Sequence, residues 1–363
     1  MVNFTILAGG YSSFIASYLF NSEAGVLQYT GQSQTNANPS WVARHLTNPN
    51  ILYAVNEDTD GSNSGGVQSF TIGKGGALTA VGHISTQGDA PAFMTPLTSG
   101  GIAAMNYNTG NGIFAPTTDG GLQFGTAQVI TFPTTSEPAN VSHPHMAFEY
   151  KDEIFVPDLL TTAKGQDKVW RVGKDASGKF AIHGDIPQPT GSGPRHMRIL
   201  NDNLYIAHEL ASSFTAQPLP AGPNGTSEIF ANLPTQPEAD ASLADPHWAA
   251  GEILVPEPND EFPTAFAYVS NRNTGTTTDP RGDTVAIFQL EPEVKLVAQV
   301  FSGVQQIRGI EFGGEKNEYV VLSGVVGTGG VAVFERTNGG ANLTEVARDT
   351  TIPTRTGFVW GSW

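Results

Sequence analysis

The sequence predicts an all-β protein: a seven-bladed β-propeller with four antiparallel strands in each blade. The first observation is a strand pattern that recurs about every 50 residues, a period typical of propeller blades. The second is the presence of 42 glycines and 24 prolines, which favour turns over helices. The third is that no window shows the helical period of about 3.6 residues with end caps. We therefore expect a single propeller domain over residues 1–363.

The recurring element is a short apolar strand that ends in a polar pair. Its copies occupy residues 53–57, 103–107, 155–159, 205–209, 268–272 and 320–324. Residues 6–10 provide a seventh copy if the spacing is continued across the chain ends. The N-terminal strand is therefore expected to share a blade with the last strand-like run, near residues 356–360. Such closure of the ring would remove exposed sheet edges.

The other strands of each blade are expected on both sides of this copy. A second short strand lies upstream, as in residues 40–43 and 194–197, and a polar turn separates the two. A loop and an alternating strand, such as 66–71, follow the copy. The longest spacing contains a segment rich in proline and alanine, 218–258, which we interpret as a loop insertion around a short strand and not as a linker.

Composition excludes several classes of function. The chain has 34 acidic and 18 basic side chains, a formal charge of −16, which disfavours nucleic acids and anionic membrane surfaces as partners. It has no cysteine, which excludes disulfides, cysteine-ligated metals and thiol nucleophiles. No apolar run approaches the roughly 20 residues of a membrane span. We expect a monomer with no nucleic-acid or membrane partner.

The chain is interpreted as a secreted, extracellular protein. Its first residues lack the basic region and cleavage site of a signal peptide, which fits a leader replaced by an initiator methionine. Four N-x-S/T sequons favour the same interpretation, although a chain rich in serine and threonine also acquires sequons by chance. The sequon asparagines are Asn3, Asn140, Asn224 and Asn342.

Equivalent repeat positions in a propeller form rings around the channel, so the ends of the copies and the starts of the preceding strands are expected at one mouth. Histidines and arginines are concentrated there in an otherwise acidic chain, which predicts a site for a small carboxylate or phosphate. The candidate side chains at these positions are Trp41, Phe93, Tyr107, His145, Arg195, His196, His208, Glu209, His247, Arg272 and Arg308.

Structural roles compete with functional ones at these positions. Asparagine and aspartate at strand ends often bond their own backbone, which favours a capping role for Asn56, Asn106, Asp158 and Asn271. For His247 and Arg308 the two interpretations remain open. Charged side chains in a channel must be paired or used, which favours function for a set of four: His145, Arg195, Glu209 and Arg272.

No motif requires a metal or a cofactor. The sequence contains no H-E-x-x-H, no EF-hand loop and no phosphate-binding glycine loop. We therefore predict a site without metal or cofactor.

Four short motifs resemble the seven-bladed propeller lactonase family, which includes propeller-type 6-phosphogluconolactonase and 3-carboxy-cis,cis-muconate lactonizing enzyme. They comprise residues 38–41 with 53–57, 142–145 with 156–159, 193–196 with 208–210, and 269–272. The resemblance spans the whole chain. It implies that the catalytic histidine, arginine, glutamate and second arginine of the lactonizing enzyme correspond to His145, Arg195, Glu209 and Arg272.

One position departs from the family pattern. Phe93 stands where a histidine is usual, which argues against phosphogluconolactone as substrate and predicts an apolar wall. The 218–258 segment and the sequons resemble a secreted fungal branch that includes L-rhamnose-α-1,4-D-glucuronate lyases.

Three functions remain open. The first is a secreted polysaccharide lyase that removes terminal L-rhamnose from glucuronate by β-elimination, with His145 or His143 as base and a histidine or Tyr107 as acid. The alternative is a lactonase or carboxymuconate cycloisomerase, with Glu209 or His145 handling the proton. The second alternative is a non-catalytic surface or glycan-binding propeller. Fold alone does not decide among them.

Overall fold

The computed structural model describes residues 2–61, 64–134, 141–159, 167–238 and 245–363. Seven antiparallel sheets form the blades of a propeller, which confirms the predicted fold class. Three single 3₁₀ turns, Lys74–Gly76, Asp119–Gly121 and Asn338–Gly340, are the helical segments of this part of the chain.

The strands of each blade follow chain order from the channel outward, apart from the blade that contains both chain ends. That blade consists of β29, β1, β2 and β3, which are Gly357–Gly361, Asn3–Gly9, Phe14–Asn21 and Val26–Gln34. The next blade contains β4 to β7: Val42–Arg44, Ile51–Asn56, Gly66–Ile72 and Leu78–Ser85. The third contains β8 to β12: Pro91–Leu97, Gly101–Asn106, Asn111–Thr118, Gln123–Phe124 and Gln128–Thr131.

Four further blades complete the ring. The first of them contains β13 to β16: Phe148–Tyr150, Glu153–Asp158, Lys168–Lys174 and Phe180–Pro187. Next come β17 to β20: Pro194–Leu200, Asn203–His208, Ser213–Pro218 and Ala231–Pro234. The sixth blade contains β21 to β24: Trp248–Leu254, Phe266–Asn273, Thr284–Gln289 and Lys295–Phe301. The last contains β25 to β28: Gln305–Gly313, Tyr319–Val326, Val331–Thr337 and Asn342–Asp349.

Two blades differ from the simple expectation. In the third blade the outer edge is divided, because both β11 and β12 pair with β10. The segment 218–258 contains two strands that belong to sheets: β20 is the outermost strand of one blade and β21 is the innermost strand of the next. The segment thus supplies part of the channel wall as well as surface loops.

The two chain ends close the ring. Strand β29 pairs antiparallel with β1, so that Ile6 lies opposite Trp360 and Gly9 opposite Gly357. This pairing confirms that the N- and C-terminal strands share a blade. First strands of successive blades, such as β17 and β21 or β25 and β29, contact one another around the channel.

The ends of the second strands carry buried polar side chains with structural partners. Asn106 Nδ2 donates to the Thr86 carbonyl (2.8 Å), and Asp158 accepts from the backbone N–H of His143 (2.7 Å). His208 has no accessible surface, and its Nε2 lies 2.7 Å from Thr215 Oγ1. These bonds hold adjacent strands together. They support the capping role expected for the asparagines and Asp158, and we leave His208 out of the proposed substrate site.

The surface bears on the expectation of secretion. The side chains of Asn3, Asn224 and Asn342 are exposed, so three of the four sequons present their asparagine to solvent. Asn140 lies outside the described residues. In the described ranges no helix is long and apolar enough to cross a membrane.

Aromatic packing across the closing blade should make a large contribution to stability. Trp360 is buried, and its ring lies 6.0 Å from Phe20 and 6.5 Å from Tyr319, which belongs to the neighbouring blade. Trp360→Ala removes this packing, so the free energy of unfolding should fall by about 3–5 kcal/mol. The measurement is denaturant unfolding followed by far-UV circular dichroism.

Two variants control this test. The indole N–H of Trp360 has no hydrogen-bond partner in the described part of the chain, so Trp360→Phe should cost much less. Phe230 is 52% exposed, and Phe230→Ala should change stability by less than about 0.5 kcal/mol. Equal losses in all three variants would contradict the role assigned to the closing blade.

The burial of His208 predicts a pH dependence of stability. Burial lowers the pKa of His208 to about 3, whereas its pKa in the unfolded chain is near 6.5. Between these two pH values His208 is protonated in the unfolded chain and neutral in the folded protein. Stability therefore falls as pH drops through this window. The contribution of one such group is up to about 1.4 kcal/mol per pH unit.

His208→Gln should reduce that slope by close to one proton, because glutamine can bond Thr215 without titrating. The free energy of unfolding, measured between pH 6.5 and 4, provides the test. His183→Gln is the matched control for the substitution itself: this histidine is exposed, and its replacement should leave the free energy of unfolding at pH 7 within about 0.5 kcal/mol of the wild type. An unchanged slope in His208→Gln would show that His208 takes up its proton in the folded state.

Candidate active site

The mouth of the channel is formed where first strands begin and second strands end. Pro194 lies opposite His208 across β17 and β18, which brings Arg195 and Glu209 to the same edge. Trp248 lies opposite Asn273 across β21 and β22, which places Arg272 at the equivalent edge of the next blade. The repeat therefore positions charged side chains from separate blades around one opening.

One carboxylate joins two arginines at this edge. Arg195 Nε lies 2.9 Å and Arg272 Nη2 lies 3.0 Å from the same oxygen, Oε2 of Glu209. Both guanidinium groups also donate to backbone carbonyls, Arg195 to Gly251 (2.8 Å) and Arg272 to Ala250 (3.0 Å). Such bonds fix the arginines in place before any ligand enters.

A second ion pair forms across the closed ring. Arg308 Nη2 lies 3.0 Å from Glu57 Oε2, and the hydroxyl of Tyr11 donates to Glu57 Oε1 (3.0 Å). The Arg308 guanidinium lies over the Tyr11 ring at 5.2 Å, a cation–π contact. The hydroxyl of Ser40 also donates to Glu57. The structure thus places Arg308 at the mouth with an acidic partner.

Two histidines and a tyrosine lie next to these charges. His145 is buried, and its ring meets the Tyr107 ring edge-on at 5.8 Å. The Tyr107 ring also contacts the His143 ring in a tilted arrangement at 4.6 Å, and the Tyr107 carbonyl oxygen lies 2.7 Å from His143 Nδ1. The structure therefore brings Tyr107, His143 and His145 together at one side of the opening.

Below the mouth, His145 contacts a buried chain of polar groups. Its Nδ1 lies 3.0 Å from Nε2 of His196, and Nδ1 of His196 lies 2.7 Å from Oε2 of Glu252. Glu252 has no accessible surface, and its other oxygen, Oε1, lies 3.4 Å from Arg198 Nη2. His196 therefore contacts His145 from inside the channel instead of facing the mouth.

The pKa values of His145, Arg195 and Glu209 are all lowered, although burial and charge combine differently in each. Burial, reinforced by Arg195, lowers the pKa of His145 well below its ordinary value. Burial also lowers the pKa of Arg195, to about 9. Burial alone would raise the pKa of Glu209, but Arg272 and Arg195 hold it below its ordinary value. At neutral pH the site therefore contains a neutral His145 beside an ionised Glu209 and charged arginines.

Trp41 and Phe93 lie deeper than expected. Their ring centroids lie 4.4 Å apart with the planes tilted by 33°, and both rings meet the His196 ring edge-on, at 5.7 and 5.4 Å. They line a cavity of about 270 Å³ together with Arg44 and Glu311, from the later halves of the first strands. Packing against His196 leaves Phe93 4% exposed, so these two rings support the histidine and are not placed to form a wall at the mouth.

His247 lies at the surface before β21. Its side chain is 64% exposed, and its Nε2 lies 3.0 Å from Asp245 Oδ1. No contact joins it to the arginines within the described residues, and we leave it out of the central site.

Three contributors to the site were not singled out from the sequence. Glu57 stands at the same repeat position as Glu209, and Tyr11 follows the equivalent position by one residue. Because Glu57 and Glu209 share this repeat position, the sequence alone could have identified Glu57 as a site residue. Glu252 lies within the 218–258 segment that the sequence analysis treated as an insertion, and only its place in β21 shows that it faces the channel. In the part of the chain that the structure describes, no group of three or more acidic or histidine side chains could hold a metal ion.

Comparisons with known proteins agree with this architecture. A family model described as "Lactonase, 7-bladed beta-propeller" matches residues 5–360. None of the curated protein sequences compared with the chain matches it significantly.

Several solved structures share the fold. A putative 6-phosphogluconolactonase from Bacteroides fragilis is 21% identical with a TM-score of 0.79, over 99% of this chain and 98% of that one. The Pseudomonas aeruginosa periplasmic gluconolactonase PpgL is 18% identical with a TM-score of 0.80, over 99% of each chain. A Lactobacillus plantarum protein is 20% identical with a TM-score of 0.81, over 99% of this chain and 100% of that one.

The family model covers nearly the whole chain, and the seven sheets of the structure agree with the seven blades of its description. The chain therefore belongs to the seven-bladed β-propeller lactonase family.

Proposed function

We propose that this chain is an enzyme that hydrolyses the lactone of a small molecule bearing one free carboxylate. The observation that supports this most strongly is the cluster of three arginines and two glutamates beside a neutral, buried histidine, in a lactonase-family chain. Membership of the lactonase family favours this function over the polysaccharide lyase.

The charge of the mouth indicates the substrate class. Arg195, Arg272 and Arg308 carry three positive charges, and Glu57 and Glu209 carry two negative ones. The formal sum is +1, which one carboxylate would neutralise and a phosphate dianion would exceed. We therefore favour an acidic sugar lactone or a lactone of a dicarboxylic acid over a phosphorylated lactone.

His145 is the better placed base. Glu209 shares one oxygen between two arginines, so that its carboxylate is already engaged by two guanidinium groups. A neutral imidazole can accept a proton from water, as general-base catalysis requires. We assign proton transfer to His145 and the positioning of the arginines to Glu209.

The reaction adds one water molecule to the lactone. As the water oxygen bonds to the carbonyl carbon, its proton passes to His145, and the carbonyl electron pair moves to the oxygen. An arginine of the mouth stabilises this oxyanion. When the intermediate collapses, the bond from the carbonyl carbon to the ring oxygen breaks, and that oxygen takes the proton from His145. The product is the open hydroxy acid.

The names of two similar structures support a lactone substrate. One is a putative 6-phosphogluconolactonase and the other a periplasmic gluconolactonase. At about 20% identity they support the reaction class and not the individual substrate.

β-Elimination on a glucuronate, the lyase reaction of the sequence analysis, is the second candidate. The contact between Tyr107 and His145 favours it, because elimination needs a base and an acid near the same carbon. Burial raises the pKa of Tyr107, so the phenol retains a proton that it could donate to a leaving oxygen.

A series of substrates with different charge tests the proposal. We expect turnover to be fastest on D-glucarolactone, which has one carboxylate, and slower on neutral D-gluconolactone and dianionic 6-phosphogluconolactone. Proton release in a pH-stat gives the rates. A rhamnosyl-glucuronate glycan, followed by the ultraviolet absorbance of unsaturated uronates, tests the lyase in parallel. Turnover of the glycan alone would support the lyase and contradict the lactonase.

Arg272→Ala should lower kcat/KM on the acidic lactone by about 100-fold or more, which corresponds to about 3 kcal/mol of lost charge stabilisation. The loss should be smaller on the neutral lactone, because that substrate has no carboxylate to pair with. Steady-state kinetics on both substrates measure the difference.

Arg281→Ala is the matched control for Arg272→Ala. Arg281 is 54% exposed and pairs with Asp279, so its removal should leave both rates unchanged. Equal losses on the acidic and neutral lactones in Arg272→Ala would show that Arg272 does not hold a carboxylate.

A further inference from the structure

The buried chain of polar groups beneath His145 has a defined hydrogen-bond direction. Glu252 accepts hydrogen bonds at Oε1, from the backbone N–H of Ile253 (3.1 Å) and from Arg198 Nη2 (3.4 Å). Its other oxygen, Oε2, lies 2.7 Å from Nδ1 of His196, as in an ion pair. A carboxylate only accepts hydrogen bonds, so the proton of this contact resides on Nδ1 of His196.

The next contact takes its direction from the first. Burial lowers the pKa of His196 to about 4, so the ring is neutral at pH 7 and its Nε2 has a lone pair. Nε2 of His196 lies 3.0 Å from Nδ1 of His145, so its lone pair is available to accept a hydrogen bond there. His145 must therefore donate from Nδ1, which leaves its own Nε2 without a proton.

We propose that Glu252 and His196 are positioning residues that fix His145 in the Nδ1–H tautomer, so that Nε2 is the proton acceptor of the site. The groups act through His145 and do not touch the substrate. The tautomer follows from these contacts and from the neutral state of His196, whereas its use as a base rests on the function proposed above.

The surroundings explain why the tautomer needs fixing. The positive charges of Arg195, Arg308 and Arg272 all lower the pKa of His145, and its neighbour His196 acts in the same direction. An imidazolium formed on His145 would therefore be disfavoured unless a negative charge were near. Glu252 supplies that charge through His196, and the rings of Trp41 and Phe93 hold His196 in line.

Glu252→Gln should invert both tautomers. Arg198 and the Ile253 N–H are donors, so the amide oxygen of glutamine remains on their side and its NH₂ group faces His196. Nδ1 of His196 must then accept, its Nε2 must donate to His145, and the proton of His145 moves to Nε2. The substitution is isosteric, so the blade should keep its packing.

Nitrogen-15 NMR of histidine-labelled protein at pH 7 measures this directly. Long-range proton–nitrogen correlations distinguish the two tautomers, and His145→Gln and His196→Gln provide the assignments. We expect the wild type to show Nδ1–H for both rings and Glu252→Gln to show Nε2–H for both. Glu311→Gln changes another carboxyl group of the channel, one that accepts from the backbone N–H of Phe312 (3.0 Å), and it should leave the tautomers as in the wild type.

The kinetic consequence is a loss of kcat/KM of about 100-fold or more in Glu252→Gln, the usual size of a general-base contribution. Wild-type protein with Nε2–H on His145, or unchanged tautomers in Glu252→Gln, would overturn the proposal. These spectra need no substrate. If the spectra show the expected tautomers but no lactone is turned over, the proposed function would be contradicted, and the positioning role of Glu252 and His196 would stand.

Discussion

Pairing of the two chain ends is the constraint on which the site depends. Strand β29 completes the first blade only by lying beside β1, and this pairing places the last repeat next to the first. Arg308 and Glu57 are 251 residues apart in the chain, yet they form an ion pair across the closing blade. Without closure of the ring, Arg308 would be a cation buried without its partner, a costly arrangement.

Much of this arrangement follows from the period of the sequence. Because each copy of the strand ends at the same height of its blade, its last residues must meet around one mouth. That reasoning is sufficient to bring Arg195, Glu209 and Arg272 together, and the structure shows the three in contact. The fold could be predicted for the same reason, since the period fixes the blades and the chain ends determine closure.

Depth within the channel could not be predicted in the same way. Adjacent residues of a strand alternate between faces, so Arg195 and His196 have different surroundings although they are neighbours in sequence. A bulge lies between Pro194 and His196, and the repeat does not reveal it. Glu252 could not be predicted for a different reason: the proline-rich segments around its strand made that strand resemble part of a loop insertion.

The low basicity of His145 and the surplus of arginines over glutamates at the mouth are physically linked. His145 is a weak base, because burial and the nearby guanidinium groups disfavour its cation. A substrate carboxylate would neutralise part of that charge and remove one source of the penalty. The base would then strengthen when an acidic substrate is bound, and Glu252, through His196, would stabilise the proton that His145 receives. Selectivity for a carboxylate and activation of the base would thus have the same electrostatic origin.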